Sequence, residues 1–580
     1  MADKLSFKVL TFLFLIYSLI SLQWNWPNLG NDLTPRIFIS WAMLVCCSAW
    51  CWGQGIYSRK ILLNSSLALL LIPPIGVGLM TLLGATGTKE YYPFLSFFAL
   101  FFFGLWITGL VQMDFDDDKW EKLGWIITFG SVLLALIALS SADYFNFQKF
   151  YALLPVPMTV HQGGFQQRNL FASYLASNIS LLYWLVIKNK APFSKSKQYL
   201  LVTFTFILSL TLFCTGSRAG CLGGLSSFLL LLLWSTIFKK NIVRFNLVWA
   251  FSVLLALALS VLIMDSLNPG NAVDNRTHEL INGLGSVSLR LSHWQVSLNI
   301  WLDHFWTGVG MGRFTEFYTD YFVALSQKGL KLTYEANLDQ PHCELLLWLV
   351  ETGVIGTLLV LAPYAILIIS TLKKDRLYST GWFAVLVPIL LHSFVEFPLH
   401  SSGAHWFILG FIFAAGINRE GLKQYSLEYS DFAIKSTRIL ILSIFSIPVL
   451  ILFQTAYASK LALLHMFDKE QTYSEHLIKW SQSPEFNHPI LGKLSNDIFL
   501  MNTIPALLTS GDKVLIKHWT PTVEDFALRW QNNNVWQWLA ICYLANDDDA
   551  KLNQLQLKLK ILNPELELQI EQVKQNKLKN

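Results

Sequence analysis

Long apolar runs separated by short polar loops dominate this chain. A hydrocarbon core takes roughly 20 apolar residues of helix. On that measure the sequence predicts about thirteen spans, near 9–25, 36–53, 61–84, 93–112, 124–141, 169–187, 198–214, 219–237, 246–264, 343–372, 380–397, 402–417 and 437–457. The gap 265–342 is far too long for a turn and reads as a large loop. Beyond 457 polar and apolar positions alternate, and Leu552, Leu555, Leu557, Leu559 and Leu562 read as helical spacing. The expected fold is an all-α polytopic membrane protein: N-terminal transmembrane helices over 1–264, the loop over 265–342, C-terminal transmembrane helices over 343–457 and a soluble helical domain over 458–580.

Charge sets an orientation. Cytoplasmic loops carry the excess of Lys and Arg, and here alternate loops hold Arg59 and Lys60, then Lys188 to Lys197, Lys239 to Arg244, Lys373 to Arg376, and Arg419 to Arg438. With those loops inside, the segments 142–168, 215–218, 265–342 and 397–402 and the whole tail lie on the outer, periplasmic face of a bacterial inner membrane. The acidic loop Asp114 to Lys122 falls inside and reads as a solvated face rather than a cation site.

Composition agrees: 53% hydrophobic and 14% charged residues, with a mean hydropathy of +0.45, exclude a soluble globule. A net charge of +5, clustered at loops, excludes nucleic acid as a partner and leaves the lipid bilayer. Six of the seven Cys lie in or beside apolar segments, so neither a disulfide framework nor a metal pattern follows. Lys4 and Lys8 precede an apolar run without a small-residue cleavage site, which predicts an uncleaved first span.

Unusual polar residues gather at the expected outer face. His161, Gly163, Gly164, Gln166, Gln167, Arg168 and Asn169 precede the span starting at Leu170. They suit a ligand rich in hydroxyls or phosphate, or else form a polar turn with Asn169 as helix cap. Thr215-Gly-Ser-Arg218-Ala-Gly220 is a short turn between two spans; Arg218 either binds an anion or snorkels to headgroups. In the loop, Arg290 and Trp294 lie one helical turn apart, ahead of Trp301, His304, Trp306 and the glycines Gly308, Gly310 and Gly312. The glycine spacing lacks the Gly-Lys ending and preceding strand of a phosphate loop. His342 and Glu344 open the next span, where a His can act as general base or hydrogen-bond donor, or be structural. Glu396, in His392-Ser-Phe-Val-Glu-Phe-Pro-Leu-His400, is an apolar-embedded carboxylate. It implies function, or pairing with an Arg of another helix.

In this order, HQGGFQQRNLFASYLA, TGSRAG, SLRLSHWQ with WTGVGMGRF, QPHCELLLWLVETGVIG and HSFVEFPLH resemble the bacterial protein O-oligosaccharyltransferases of the PglL type, relatives of O-antigen ligases and Wzy-type polymerases. The resemblance covers about 150–415. TGSRAG and the His-x-Glu opening are common to the wider group, whereas QQRNLFASYLA looks particular to the protein-modifying branch. Phe397 stands where that branch usually has Tyr. The resemblance implies transfer of a glycan from undecaprenyl diphosphate to Ser or Thr of an exported protein such as pilin, with no cofactor and no metal. It implies that Arg218 and Arg290 bind the diphosphate, that His342 is the base with Glu344 orienting it, and that His161, Gln166, Gln167, Arg168 and Glu396 line the glycan or acceptor path. A ligase or polymerase acting on a glycan or lipid A core, and a transporter of lipid-linked glycan, are the alternatives. The tail, without a catalytic constellation, reads as an element that tunes acceptor choice.

Overall fold

A helix satisfies its own backbone N–H and C=O groups, which is what crossing hydrocarbon demands. The computed structural model describes residues 2–20, 35–83, 91–140, 163, 165, 167–188, 195–238, 243–267, 284–374, 376–418, 422–467 and 475–579. Each predicted apolar stretch is mostly helical. Among the described residues ten helices are long and apolar enough to cross a membrane, from Ile37–Tyr57 to Asp431–Ala462, and two shorter apolar helices are Ser6–Ser18 and Gly403–Ile417. The stretch expected at 380–397 is broken into Arg376–Ala384 and Val387–Ser393. Pro388 lies in the first turn of the second piece, where its fixed φ and missing N–H are tolerated as they are not in a helix interior. The protein is a multi-pass, all-α membrane protein.

Two compact units are built from interleaved segments. The first comprises residues 1–75, 98–279 and 360–456. Its helix Arg168–Ile187 is buried at every position from Leu170 to Leu185, as expected of a helix apolar all round. Small residues let helix Arg218–Phe238 approach its neighbours: a Cβ on Gly220 would lie 2.3 Å from the Ala172 Cβ, and one on Gly223 would lie 2.8 Å from the Pro388 Cα. A small antiparallel ribbon pairs Lys60–Leu63 with Lys423–Ser426, Lys60 opposite Ser426 and Leu63 opposite Lys423. The Gln112 amide closes the ribbon by accepting from the Leu62 N–H at 2.8 Å and donating to the Leu62 carbonyl at 2.9 Å.

The second unit comprises residues 76–97, 280–359 and 457–580, so the long loop and the tail share one body. The loop forms helices Leu284–Asp303 and Phe314–Gln327 before Glu344–Lys374 begins. That last helix is interrupted at Gly353 (φ 62°, ψ −168°), a conformation open to glycine. The glycine-rich segment after Trp306 fills the gap. Val309 and Gly310 donate to the Val350 and Glu351 carbonyls at 2.9 and 3.0 Å, while Val354 and Ile355 donate to Phe305 and Trp306 at 2.9 and 3.2 Å. The two i→i−4 bonds lost at the break are thus replaced, as buried backbone requires. Close approach explains the glycines themselves: a Cβ on Gly308 would lie 2.4 Å from the Glu351 carbonyl carbon.

The tail is helical, with Gly492–Thr509, Lys513–Arg529, Asn533–Ala545, Asp549–Leu562 and Pro564–Lys579 around a core that includes Val523, Phe526, Leu539, Leu555 and Leu559. A buried ion pair fastens it: Arg529 NH2 donates to Asp497 Oδ1 at 2.7 Å and Nε to Oδ2 at 2.8 Å, the bidentate geometry that a guanidinium permits.

Candidate functional site

In the first unit, three of the motifs converge. Helix Arg168–Ile187 starts one residue before Asn169, with Gln167 in the cap position, so Asn169 is not the cap. Its amide instead bridges two motifs: Oδ1 accepts from the Ser217 hydroxyl at 2.7 Å, and Nδ2 reaches Glu396 Oε1 at 3.5 Å, the long limit for a hydrogen bond. Ser217 in turn accepts from the Gly220 N–H at 3.1 Å. It caps the helix whose first residue is Arg218. Arg218 is exposed, while Glu396 is buried. A guanidinium presented at a helix start is suited to an anion. Gln167 and Arg168 are exposed at the neighbouring helix start. His161 and Gln166 lie outside the described residues.

Behind this surface a second group lies wholly inside. The Ser173 hydroxyl is 2.8 Å from His392 Nδ1 and 3.0 Å from His405 Nε2, and all three residues are buried. One hydroxyl proton cannot serve both rings, so at least one imidazole donates to Ser173. Phe165 packs beside it, edge-on to His405 with centroids 6.1 Å apart.

In the second unit, His342 and Arg290 have close company. His342 is half-buried with φ +50°, a left-handed conformation that non-glycine residues adopt rarely and mostly where surroundings enforce it. Its ring stacks on that of His293, with centroids 5.5 Å apart and planes at 19°. His293, fully buried on helix Leu284–Asp303, also meets Tyr318 edge-on at 5.9 Å. Its Nε2 lies 3.3 Å from Glu335 Oε2. Among the described residues neither nitrogen of His293 makes an aligned hydrogen bond, so the pull of the carboxylate is weak. Burial, and after it the charges of His342 and Arg290, lower the His293 pKa to about 4. The ring is neutral at pH 7. His293 and Glu335 were not singled out by sequence: His293 sits unmarked inside SLRLSHWQ, and Glu335 lies in loop without a motif. Glu344 is buried in the first helical turn after His342. One ligand atom each from His293, Glu335 and His342 fall within 4.8 Å of one another, a donor set that could hold a metal ion; the Arg290 charge opposes a cation there.

The predicted residues therefore fall into two groups, Arg218, Gln167, Arg168 and Glu396 in one unit and Arg290, His342 and Glu344 in the other. Among curated proteins none matches the chain. Residues 203–361, about a quarter of it, match the O-antigen ligase family, a stretch that includes Arg218, Arg290, His342 and Glu344.

Proposed function

We propose that this protein transfers a preassembled glycan from a lipid diphosphate carrier to a hydroxyl acceptor at the outer face of the inner membrane. The observation that carries this reading is the match of residues 203–361 to the O-antigen ligase family, because that stretch contains both candidate diphosphate ligands and the candidate base. The acceptor oxygen attacks the anomeric carbon, the bond from that carbon to the diphosphate oxygen breaks, and the acceptor proton passes to His342. The leaving lipid diphosphate gains one negative charge, which Arg218 and Arg290 offset through charge-assisted, fork-shaped contacts. A single displacement inverts the anomeric centre. Glu344 orients His342, and Gln166, Gln167, Arg168, His161 and Glu396 line the path of glycan or acceptor.

The acceptor is a Ser or Thr of an exported protein such as pilin, the outcome favoured by the QQRNLFASYLA stretch and by the tail. A ligase or polymerase reading, with a glycan or lipid A core as acceptor, is favoured by the family match itself and uses the same donor and residues. Deleting the gene and examining exported proteins beside lipopolysaccharide separates them. Loss of protein glycan with unchanged lipopolysaccharide supports protein modification; the reverse supports the ligase.

A further inference from the structure

Thr333 to His342 is irregular backbone that carries Glu335 and His342, and two of its residues, Asn337 (φ +57°) and His342 (φ +50°), occupy the left-handed region. Such a segment keeps one conformation only if neighbours impose it. One restraint comes from the loop itself: the Thr333 N–H donates to the Ser292 hydroxyl at 3.0 Å, one residue from His293. The others come from the C-terminal domain. The Asn337 N–H donates to the Gln531 carbonyl at 3.0 Å, and the Asn532 amide donates to Asn337 Oδ1 at 3.5 Å. The Gln531 side chain, buried, accepts from the Thr319 hydroxyl, and Thr319 is also a hydrogen-bond partner of the Tyr334 hydroxyl. From these contacts we infer that the turn Trp530 to Asn532 clamps the segment bearing Glu335 and His342, making Gln531 and Thr319 positioning residues for the transfer. The role in transfer rests on the proposed assignment of His342.

The turn is itself held rigid, which is what a clamp needs. Arg529 is fixed to Asp497 on the preceding helix, and the Trp530 indole N–H donates to Asp497 Oδ2 at 3.0 Å. Asn532 caps the following helix by accepting from the Val535 N–H at 3.1 Å. Gln531 thus sits between two anchored helix ends. A second fastening lies further along, where Lys558 Nζ meets Asp320 Oδ1 at 2.5 Å and helix Phe314–Gln327 packs on Lys513–Arg529 and Asp549–Leu562. This pair is exposed and contributes little, so the buried contacts at Gln531 dominate. A domain that only docks acceptors would have no reason to hold, through the Gln531 carbonyl, the backbone of the segment that leads to His342.

The test uses the full chain in detergent. Thr319→Val is nearly isosteric and leaves Gln531 Oε1 without its donor, and Asn532→Asp keeps the helix cap but loses the amide donor; Thr319→Ser keeps the hydroxyl. Hydrogen exchange of amides 333–342 should quicken roughly fivefold to tenfold in Thr319→Val, the consequence of one buried hydrogen bond lost. It should quicken further with Asn532→Asp, with peptides of helix Arg168–Ile187 unchanged and Thr319→Ser like wild type. In reconstituted transfer from an undecaprenyl-diphosphate oligosaccharide, kcat should fall by a similar factor with the acceptor KM unchanged. Unaltered exchange at 333–342 in both Thr319→Val and Asn532→Asp would overturn the clamp, as would an effect confined to acceptor KM. If His342→Ala kept full turnover, the assignment of His342 would fall while the exchange result would still judge the clamp.

Discussion

Among the described residues two pairs of histidines have their rings close together, and their surroundings differ in kind. His392 and His405 sit on regular apolar helices and share the Ser173 hydroxyl at 2.8 and 3.0 Å, an arrangement that holds helices together. His293 and His342 sit where helix meets irregular loop, with a left-handed backbone at His342 and a carboxylate 3.3 Å from His293 without an aligned hydrogen bond. Buried ring nitrogens without an aligned hydrogen bond occur in both pairs, so the pairs differ in their backbone and in the carboxylate beside His293. The difference teaches that buried histidine alone marks no active site. What sets the second pair apart is a left-handed backbone at the meeting of helix and loop, with a carboxylate beside it.

The largest expected effect is at His342. If its imidazole takes the acceptor proton, His342→Ala should lose about 10²- to 10⁴-fold in transfer rate while donor binding and membrane abundance are kept, as measured with purified lipid-linked glycan. His304 and His400 serve as controls at equal abundance, and a collapse in either with His342→Ala active would move the base to that residue. Next come Arg218→Ala and Arg290→Ala, each expected to cost about 10²-fold or more in kcat/KM. Lys should rescue poorly, because a point charge lacks the fork geometry; full recovery with Lys would reduce these residues to general electrostatics.

A smaller effect separates the pairs by pH. The His293 pKa is lowered to about 4, below the usual 6.5, by burial and then by the charges of His342 and Arg290, so protonation is harder folded than unfolded. Stability drawn from the neutral ring is fully present above pH 6.5 and is lost as pH falls towards 4. The thermal midpoint should decline over that window, and His293→Asn should flatten the decline; an identical slope in the variant would remove His293 from the account. Smallest in turnover is Ser173→Ala, which should destabilise the protein by about 1–3 kcal/mol, because two buried rings lose a partner, yet leave the rate of correctly folded protein near wild type. A large loss of rate at unchanged stability would make the inner pair functional after all.

Much of this was legible in the chain. Hydropathy located the helices, and three separately noted motifs proved to meet through Asn169, Ser217 and Glu396. What periodicity could not supply was partnership over long separations. The break at Gly353 and the glycines that fill it are visible only once both strands of backbone are in place, since neither segment alone signals the other. Pro388 was visible, but not that it would lie in the first turn of a new helix instead of kinking one. His293 and Glu335 carry no motif, and the tail's hold on Asn337 joins residues nearly two hundred positions apart, so a tail read as tuning acceptor choice becomes also a positioning element.

The most direct measurement of the central claim places the purified full chain in lipid vesicles with an undecaprenyl-diphosphate oligosaccharide and a Ser-containing exported protein, and follows both products. Chemistry of the kind derived above predicts equal amounts of released lipid diphosphate and glycosylated acceptor, with the anomeric configuration inverted relative to the donor. Movement of intact donor across the bilayer with neither product formed would contradict it, and would make this a transporter of lipid-linked glycan.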